Sequence, residues 1–420
     1  MTFENQDSAS PEKSAAPAES RPFPELKIFP DPSVTRGLGP ESLHPLSRLP
    51  EEWEELMLSW GEKKFRASQV VSWIHQRAVL SAQEMTNLSK PLRQRLIESG
   101  LSEPGRVDQV HRSSDGTRKL LLEMHRGAKV ECVLIPMTGR PMAELISGVD
   151  DDDEEDLPKS RVTLCVSTQF GCAMGCKFCA SGQSGLFRGL GAAEVVYQVL
   201  RARHYLEPHE DLRNLVFMGM GEPLHHYDET ARALRLLTHP AAGGMSPRRI
   251  TVSTVGLVPG IQRLGEDFAG KIGLAVSLHA ADDETRNRFM PINKKYPLSA
   301  LRSALLSYPL PARKRITIEY TLIRGINDSP AHADRLADYL RPLRVKLNLI
   351  PMNTIDASEM RASADEVVLA FRERMVRHGY SCFVRARRGD DVSAACGQLA
   401  LRAAGAKKLV RRSASDPAQA

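Results

Sequence analysis

Three cysteines, Cys172, Cys176 and Cys179, fall within eight positions of a 420-residue chain that holds only 7 in all. Their C-x3-C-x2-C spacing is too close for three independent core residues. Gly171 and Gly175 let the intervening backbone turn tightly, so the sulfurs can converge. Converging thiolates suit a soft metal centre, either zinc or an iron–sulfur cluster. A structural zinc takes four protein ligands, and no His or Cys follows Cys179 closely. Three cysteines on a [4Fe-4S] cluster leave one iron open to a small molecule, which favours the cluster over a zinc staple.

The elements that must position these thiols begin at residue 161, where strand and helix patterns start to alternate. Apolar runs predict strands at 162–167, 214–219, 249–254, 272–278, 315–323 and 345–351. Helical spacing predicts helices at 192–206, 228–238, 257–265, 297–307, 330–341 and 363–378. Six such units predict an α/β fold, a parallel sheet curved into a partial (β/α)6 barrel. A strand at 381–386 and a helix from about 392 extend it. In such a fold the loops at the carboxyl ends of the strands carry the site, and the polar candidates fall there. Gly219, Gly221 and Glu222 follow the second strand, Ser253 ends the third, Ser277 and His279 end the fourth, and Asn353 follows the sixth.

By residue type alone, Glu222 reads as a solvated acid in a Gly-rich turn or as a partner for an amino group. The Ser, His and Asn residues read equally as strand-end caps or as partners for ribose, carboxylate or adenine. Cys165, in the first strand, and Cys396, after Gly389-Asp390-Asp391, each read as a small buried hydrophobe. Glu131 interrupts an apolar strand, on the wet face or placed as a base; the pattern favours the wet face. Arg385, Arg387 and Arg388, with Lys294, Lys295 and the basic C-terminal tail, are solvated charges or a grip on phosphates around a flipped nucleotide.

The words around the cysteines resemble the RlmN/Cfr family of radical SAM enzymes, which methylate carbon 2 or carbon 8 of adenosine in RNA. They are 163–169 (TLCVSTQ), 218–224 (MGMGEPL), 250–256 (ITVSTVG), 274–280 (LAVSLHA), 290–293 (MPIN), 349–353 (LIPMN) and 388–398 (RGDDVSAACGQ). The likeness runs in order from about residue 60 to 399 and is nearest to the RlmN branch. It implies a radical SAM partial barrel with a cluster on Cys172, Cys176 and Cys179 and two S-adenosylmethionine molecules per turnover. Cofactor-binding positions would be Gly221, Glu222, Ser253, Ser277, Leu278, His279 and Asn353. It assigns a methyl-carrying role to Cys396, a resolving thiol that forms a transient disulfide to Cys165, and a proton acceptor to Glu131. The implied substrates are 23S ribosomal RNA and transfer RNA, with an external electron donor. Methylation at carbon 8, or a non-catalytic zinc-bearing RNA-binding protein, are the alternatives. The chain departs from the family's wording at Gly189, where Asn is usual, and at His225 and His226.

Composition bounds the rest. With 42% hydrophobic residues the chain is globular, and it lacks any run of 18 apolar residues, so no membrane span is expected. Clustered thiols without a disulfide framework suit a reducing cytoplasm. Lys and Arg number 57 against 51 acids, and seven of those acids form one run at 150–156, so the remainder is basic enough for a polyanionic partner. The expected organisation is a disordered extension at 1–45, a helical, RNA-contacting accessory domain at 46–110, a β-hairpin linker with an acidic insertion at 111–160, the barrel at 161–380 and an extension at 381–420. In the helical domain, Trp53, Leu56 and Trp60 form one stripe and Val70, Val71, Ile74 and His75 another, the second helix starting at Ser68; Lys63, Lys64 and Arg66 are free to meet phosphate.

Overall fold

The computed structural model describes residues 43–137 and 160–399, apart from 128, 354, 356, 357, 386, 387, 390, 395 and 396. The acidic run, the basic tail, Arg387, Cys396 and all but the end of the N-terminal extension lie outside the described residues. Among the described residues no helix is long and apolar enough to cross a membrane.

The helical unit folds around its aromatic stripe. Helix α1 (Pro50–Ser59) starts on a proline, whose missing N–H would have had no partner there, and buries Trp53, Leu56 and Met57. Helix α2 (Phe65–Val71) continues into a π turn at Ser72–Gln76. Val70, Val71, Ile74 and His75 are buried as expected. Ser68 lies inside α2 rather than at its start; the helix begins at Phe65 with no side-chain cap, so no cap residue marked its true start. In helix α3 (Lys90–Glu98), Leu92 and Leu96 face the core. Lys64 pairs with Glu54 and Arg66 bonds Gln69, so these two cations are engaged within the unit. The unit is fastened to the barrel where Arg232 meets Glu52 at 2.8 Å, and where Arg201 and Arg203 donate to the carbonyls of Ala78 and His75.

Strands β1 (Gly105–Arg112), β2 (Arg118–Met124) and β3 (Lys129–Pro136) form an antiparallel run, and β3 pairs antiparallel with β4 (Ser160–Cys165). The expected hairpin, β2 and β3, is therefore part of the main sheet. The sequence did not announce β1: its apolar residues are only Val107 and Val110, and an irregularity between Val107 and Gln109 breaks the period-two pattern. A hairpin of β5 (Gln169–Gly171) and β6 (Leu186–Gly189) brackets the cysteine loop and the short α4 (Ala180–Gln183).

From there the expected alternation holds: α5 (Ala192–Arg203), β7 (Glu210–Phe217), α6 (Tyr227–Thr238), β8 (Ile250–Thr254), α7 (Val258–Phe268), β9 (Gly273–Ser277), α8 (Asp283–Phe289), α9 (Leu298–Ser307), β10 (Ile316–Leu322), α10 (Pro330–Leu340), β11 (Val345–Pro351), α11 (Asp365–Arg377) and β12 (Cys382–Val384). The ten-stranded sheet has the order β1-β2-β3-β4-β7-β8-β9-β10-β11-β12, parallel from β4 onward. Its two ends do not pair with each other among the described residues, as in a partial barrel. The helix expected from about 392 is absent where described: 391–393 form a turn.

A buried ion pair ties the antiparallel edge to the barrel. Arg118 of β2 meets Glu210 of β7 at 2.7 Å, with side chains 2% and 5% exposed, and also donates to the Tyr205 carbonyl. Removing one partner leaves a charge without compensation in the interior. Arg118→Met should lower unfolding free energy by about 3–5 kcal/mol in denaturant titration; a loss below about 1 kcal/mol, the range of an exposed pair, would contradict this anchoring.

Candidate active site

One cavity, enclosing about 980 Å³ with its open mouth included, lies over the carboxyl ends of the parallel strands. Cys172, Cys176, Cys179, Gly221, Glu222, Ser253, Ser277, His279 and Asn353 all line it. Residues from five strand ends thus meet at one mouth, as the sequence suggested. Three of the nominated residues that the structure describes do not line it. Leu278 is fully buried and engaged through its backbone, its N–H donating to the Glu319 carbonyl at 3.1 Å and its carbonyl accepting from Arg286 Nε at 3.0 Å and Ala280 N at 2.8 Å. Cys165 and Glu131 lie on the neighbouring strands β4 and β3.

The cysteine loop turns as its glycines require: Gly171 and Gly175 adopt φ of 80° and 65°, in the left-handed region. The loop is braced from outside. Lys177 N donates to the Phe289 carbonyl at 3.0 Å, and the Phe178 ring stands edge-on to His279 and Phe289. Ala180 N donates to the Gly397 carbonyl at 2.8 Å, and Gly397 also lines the cavity. The residue following Cys396 in sequence therefore touches the residue following Cys179.

Burial and the neighbouring Cys179 push Cys172 up to about 12, and the same causes raise Cys176. These thiols are protonated in the ligand-free protein, so loading a metal centre must release protons. Among the described residues no three His, Cys, Asp or Glu side chains are grouped to hold a metal ion. Three thiols spread around one cavity, with no fourth described cysteine lining it, fit a larger inorganic core that leaves a position open.

Glu222 is 2% exposed, which rules out a solvated acid. Its carboxylate accepts from Val255 N at 2.9 Å and Leu224 N at 3.2 Å, while burial raises it to about 7. Gln169 fixes the loop by accepting from Glu222 N at 2.9 Å. His279, at φ 57°, is a non-glycine residue in the left-handed region, a strain that needs support. Asn327 Nδ2 supplies it by donating to the His279 carbonyl at 2.7 Å. His279 Nδ1 accepts from Thr321 N at 2.9 Å, so its proton sits on Nε2. Burial and the nearby Arg286 lower its pKa to about 3, keeping the ring neutral.

Glu131 is buried, contrary to the wet-face expectation, because Lys119 compensates it at 3.0 Å. Lys119 also reaches the Ser393 carbonyl at 3.4 Å, in the turn that precedes Cys396. Val133 pairs with Cys165 and with Lys119 across the sheet, so Glu131, Lys119 and Cys165 share one face. Arg385, which read as either a solvated charge or a grip on phosphates, lines the cavity and lies 3.8 Å from Glu319. Glu319 was overlooked, although an acid inside the apolar run of β10 was a legible signal; burial raises its pKa and Asn348 donates to it at 2.9 Å. The two departures from the family's wording meet in space. A Cβ at Gly189 would lie 2.8 Å from the His226 ring, so the missing side chain makes room for the histidine.

Two family profiles match the chain: the ribosomal RNA large subunit methyltransferase N-terminal domain over residues 47–100 and the radical SAM superfamily over 166–337. A dual-specificity RNA methyltransferase RlmN of Sorangium cellulosum is 58% identical over 383 residues, covering 88% of this chain and 98% of that protein. The protein of the same description from Geobacter sulfurreducens is 41% identical over 370 residues, covering 87% and 95%. The crystal structure of a radical SAM methyltransferase from Sphaerobacter thermophilus superposes with a TM-score of 0.75 at 37% identity, over 85% of this chain and 99% of that one.

Anaerobic reconstitution with iron and sulfide should load about four irons per chain with proton release, and Cys176→Ser should prevent it. Stoichiometric zinc with no iron uptake would reverse the assignment.

Proposed function

This chain belongs to the RlmN family of radical SAM RNA methyltransferases, and from that premise we propose that it methylates carbon 2 of an adenosine in 23S ribosomal RNA, and in transfer RNA, through a methyl-cysteine on Cys396. The family implies a [4Fe-4S] cluster and S-adenosylmethionine, and the cavity's three thiols and buried carboxylate fit them. When bound, these supply a methyl group from one S-adenosylmethionine and, by one-electron cleavage of a second, a radical, which a carbon neither acidic nor nucleophilic requires. The single observation that carries the reading is the convergence of Cys172, Cys176, Cys179, Glu222 and Gly397, the neighbour of Cys396, on one cavity.

The side chains have distinct tasks. Glu222 accepts the amino group of S-adenosylmethionine, Gly221 admits its close approach, and Leu278 acts through its backbone. Ser253, Ser277, Asn353 and the Nε2–H of His279 orient the ribose, carboxylate and adenine. Cys396 receives the methyl group on sulfur and links that carbon to the RNA. Glu131 takes the proton lost from the adenosine carbon; its buried contact with Lys119, which also reaches the turn before Cys396, supports that task. Cys165 then attacks the Cys396 sulfur. An S–S bond forms, the S–C bond breaks, and the electron pair leaves with the methylated base and is protonated. An external electron donor restores the two thiols.

Nucleosides from cells lacking the gene should lack 2-methyladenosine; the wild-type gene should restore it and Cys396→Ala should not. Appearance of 8-methyladenosine instead would move the enzyme to the carbon-8 branch, and full activity of Cys396→Ala would remove the carbon relay.

Glu222 makes binding depend on pH. Its carboxyl is raised from 4.5 to about 7, so the ligand-free fold loses stability as pH rises through that window, and an ammonium group recovers the loss. Affinity for S-adenosylmethionine should fall by about tenfold per pH unit below about 7, and Glu222→Gln should flatten the profile. An unchanged profile in that variant would exclude Glu222 as the amino-group partner.

A further inference from the structure

Arg286, in α8, is a fully buried cation that the reaction above does not use. It is 1% exposed. Its guanidinium donates to the Val255 carbonyl at 2.7 Å, the Ser277 carbonyl at 3.3 Å, the Leu278 carbonyl at 3.0 Å and Asn293 Oδ1 at 2.8 Å. All four acceptors are neutral. They satisfy its hydrogen bonds, and no carboxylate touches the guanidinium directly. Asp283 acts on it only at one remove, its carboxylate accepting from Asn293 Nδ2 and Leu298 N at 2.9 Å each.

The cysteine loop lies against the segment that Arg286 anchors. Phe289 takes the Lys177 N–H and the edge of Phe178, Met290 N donates to the Arg286 carbonyl, and a Cβ at Gly175 would lie 3.6 Å from Pro291. Val255 and Ser277, whose carbonyls the guanidinium holds, line the cavity together with Cys176. The guanidinium therefore stands directly behind the wall of the cavity that the cysteines share.

We propose that Arg286 is a positioning residue that pins the carboxyl ends of β8 and β9 beneath the cysteine loop and holds a fixed positive charge behind Cys176, so that the bound cluster accepts its electron more readily. The inference rests on the cluster reading. Reduction adds one negative charge to a centre already carrying three thiolates, and a buried cation whose hydrogen bonds are spent on neutral carbonyls stabilises that added charge with little screening. Charge and hydrogen bonding can be separated. Arg286→Lys keeps the charge and loses most of the fork of donors. Arg286→Gln loses the charge. Asn293→Asp, made throughout together with Asp283→Asn so that the new carboxylate does not face the old one at 2.9 Å, places a carboxylate directly on the guanidinium in a side chain of the same shape, with Arg286 still present.

The test is a redox titration of the reconstituted cluster followed by electron paramagnetic resonance, with the melting temperature of the cluster-free protein measured in parallel. At the potential that half-reduces the wild-type cluster, Arg286→Gln and Asn293→Asp should each show a reduced-to-oxidised ratio lower by about tenfold, equivalent to about 59 mV for one electron. Arg286→Lys should stay near the wild-type ratio while melting lower. Unchanged ratios in both charge-neutralising variants, or an equal drop in Arg286→Lys, overturn the proposal. If Arg286→Gln fails to hold a cluster, Asn293→Asp alone decides. A wild-type protein that assembles no cluster would instead defeat the reading on which the inference stands.

Discussion

Desolvation of ionisable groups is the constraint on which the site depends. Two of the three clustered thiols are raised by burial and by a neighbouring sulfur, Glu222 is raised to about 7 and His279 is lowered to about 3. Every one of these shifts has burial as its first cause, and each favours the uncharged form. The ligand-free cavity is thus a place where charges are withheld. A cluster and a sulfonium amino acid arrive with charges of their own, and their binding restores the ionisation that folding suppressed. The cost of keeping such groups dry is recovered only when those partners are present.

The sheet makes that arrangement possible. Six parallel strands, β4 and β7–β11, end on the same side, so short loops of unrelated sequence are brought together without long excursions. The loops are then locked by polar contacts rather than by packing alone. Gln169 holds Glu222, Asn327 holds His279, and Arg286 joins the ends of β8 and β9. The antiparallel strands on the other flank carry Glu131 and Lys119 and receive the turn at 391–393, which links the edge of the sheet to the segment bearing Cys396.

Much of this was legible in the sequence, and the reasons differ by element. The parallel strands announce themselves because burial on both faces demands continuous apolar runs, and the cysteine spacing because no core needs three thiols so close. Strand β1 was illegible because its residues are half exposed and its register shifts. Arg286 gave no sign, since an arginine in the polar word 282–288 looks like any solvated helix residue until α8 is seen folded under the cavity. Glu319 could have been found by the rule that singled out Glu131, an acid within an apolar strand. Arg385 stayed open between two readings because sequence gives charge but not the direction in which a side chain at a strand end points. Gly189 and His226 read as two unrelated departures, and only their contact makes them one accommodation.

The most direct measurement is Mössbauer spectroscopy of iron-57-reconstituted protein with and without S-adenosylmethionine. An open cluster position predicts that one iron in about four changes its spectrum when S-adenosylmethionine is added. Four irons of one kind, unaltered by the ligand, would mean that a fourth side chain closes the centre, and would contradict the proposed chemistry.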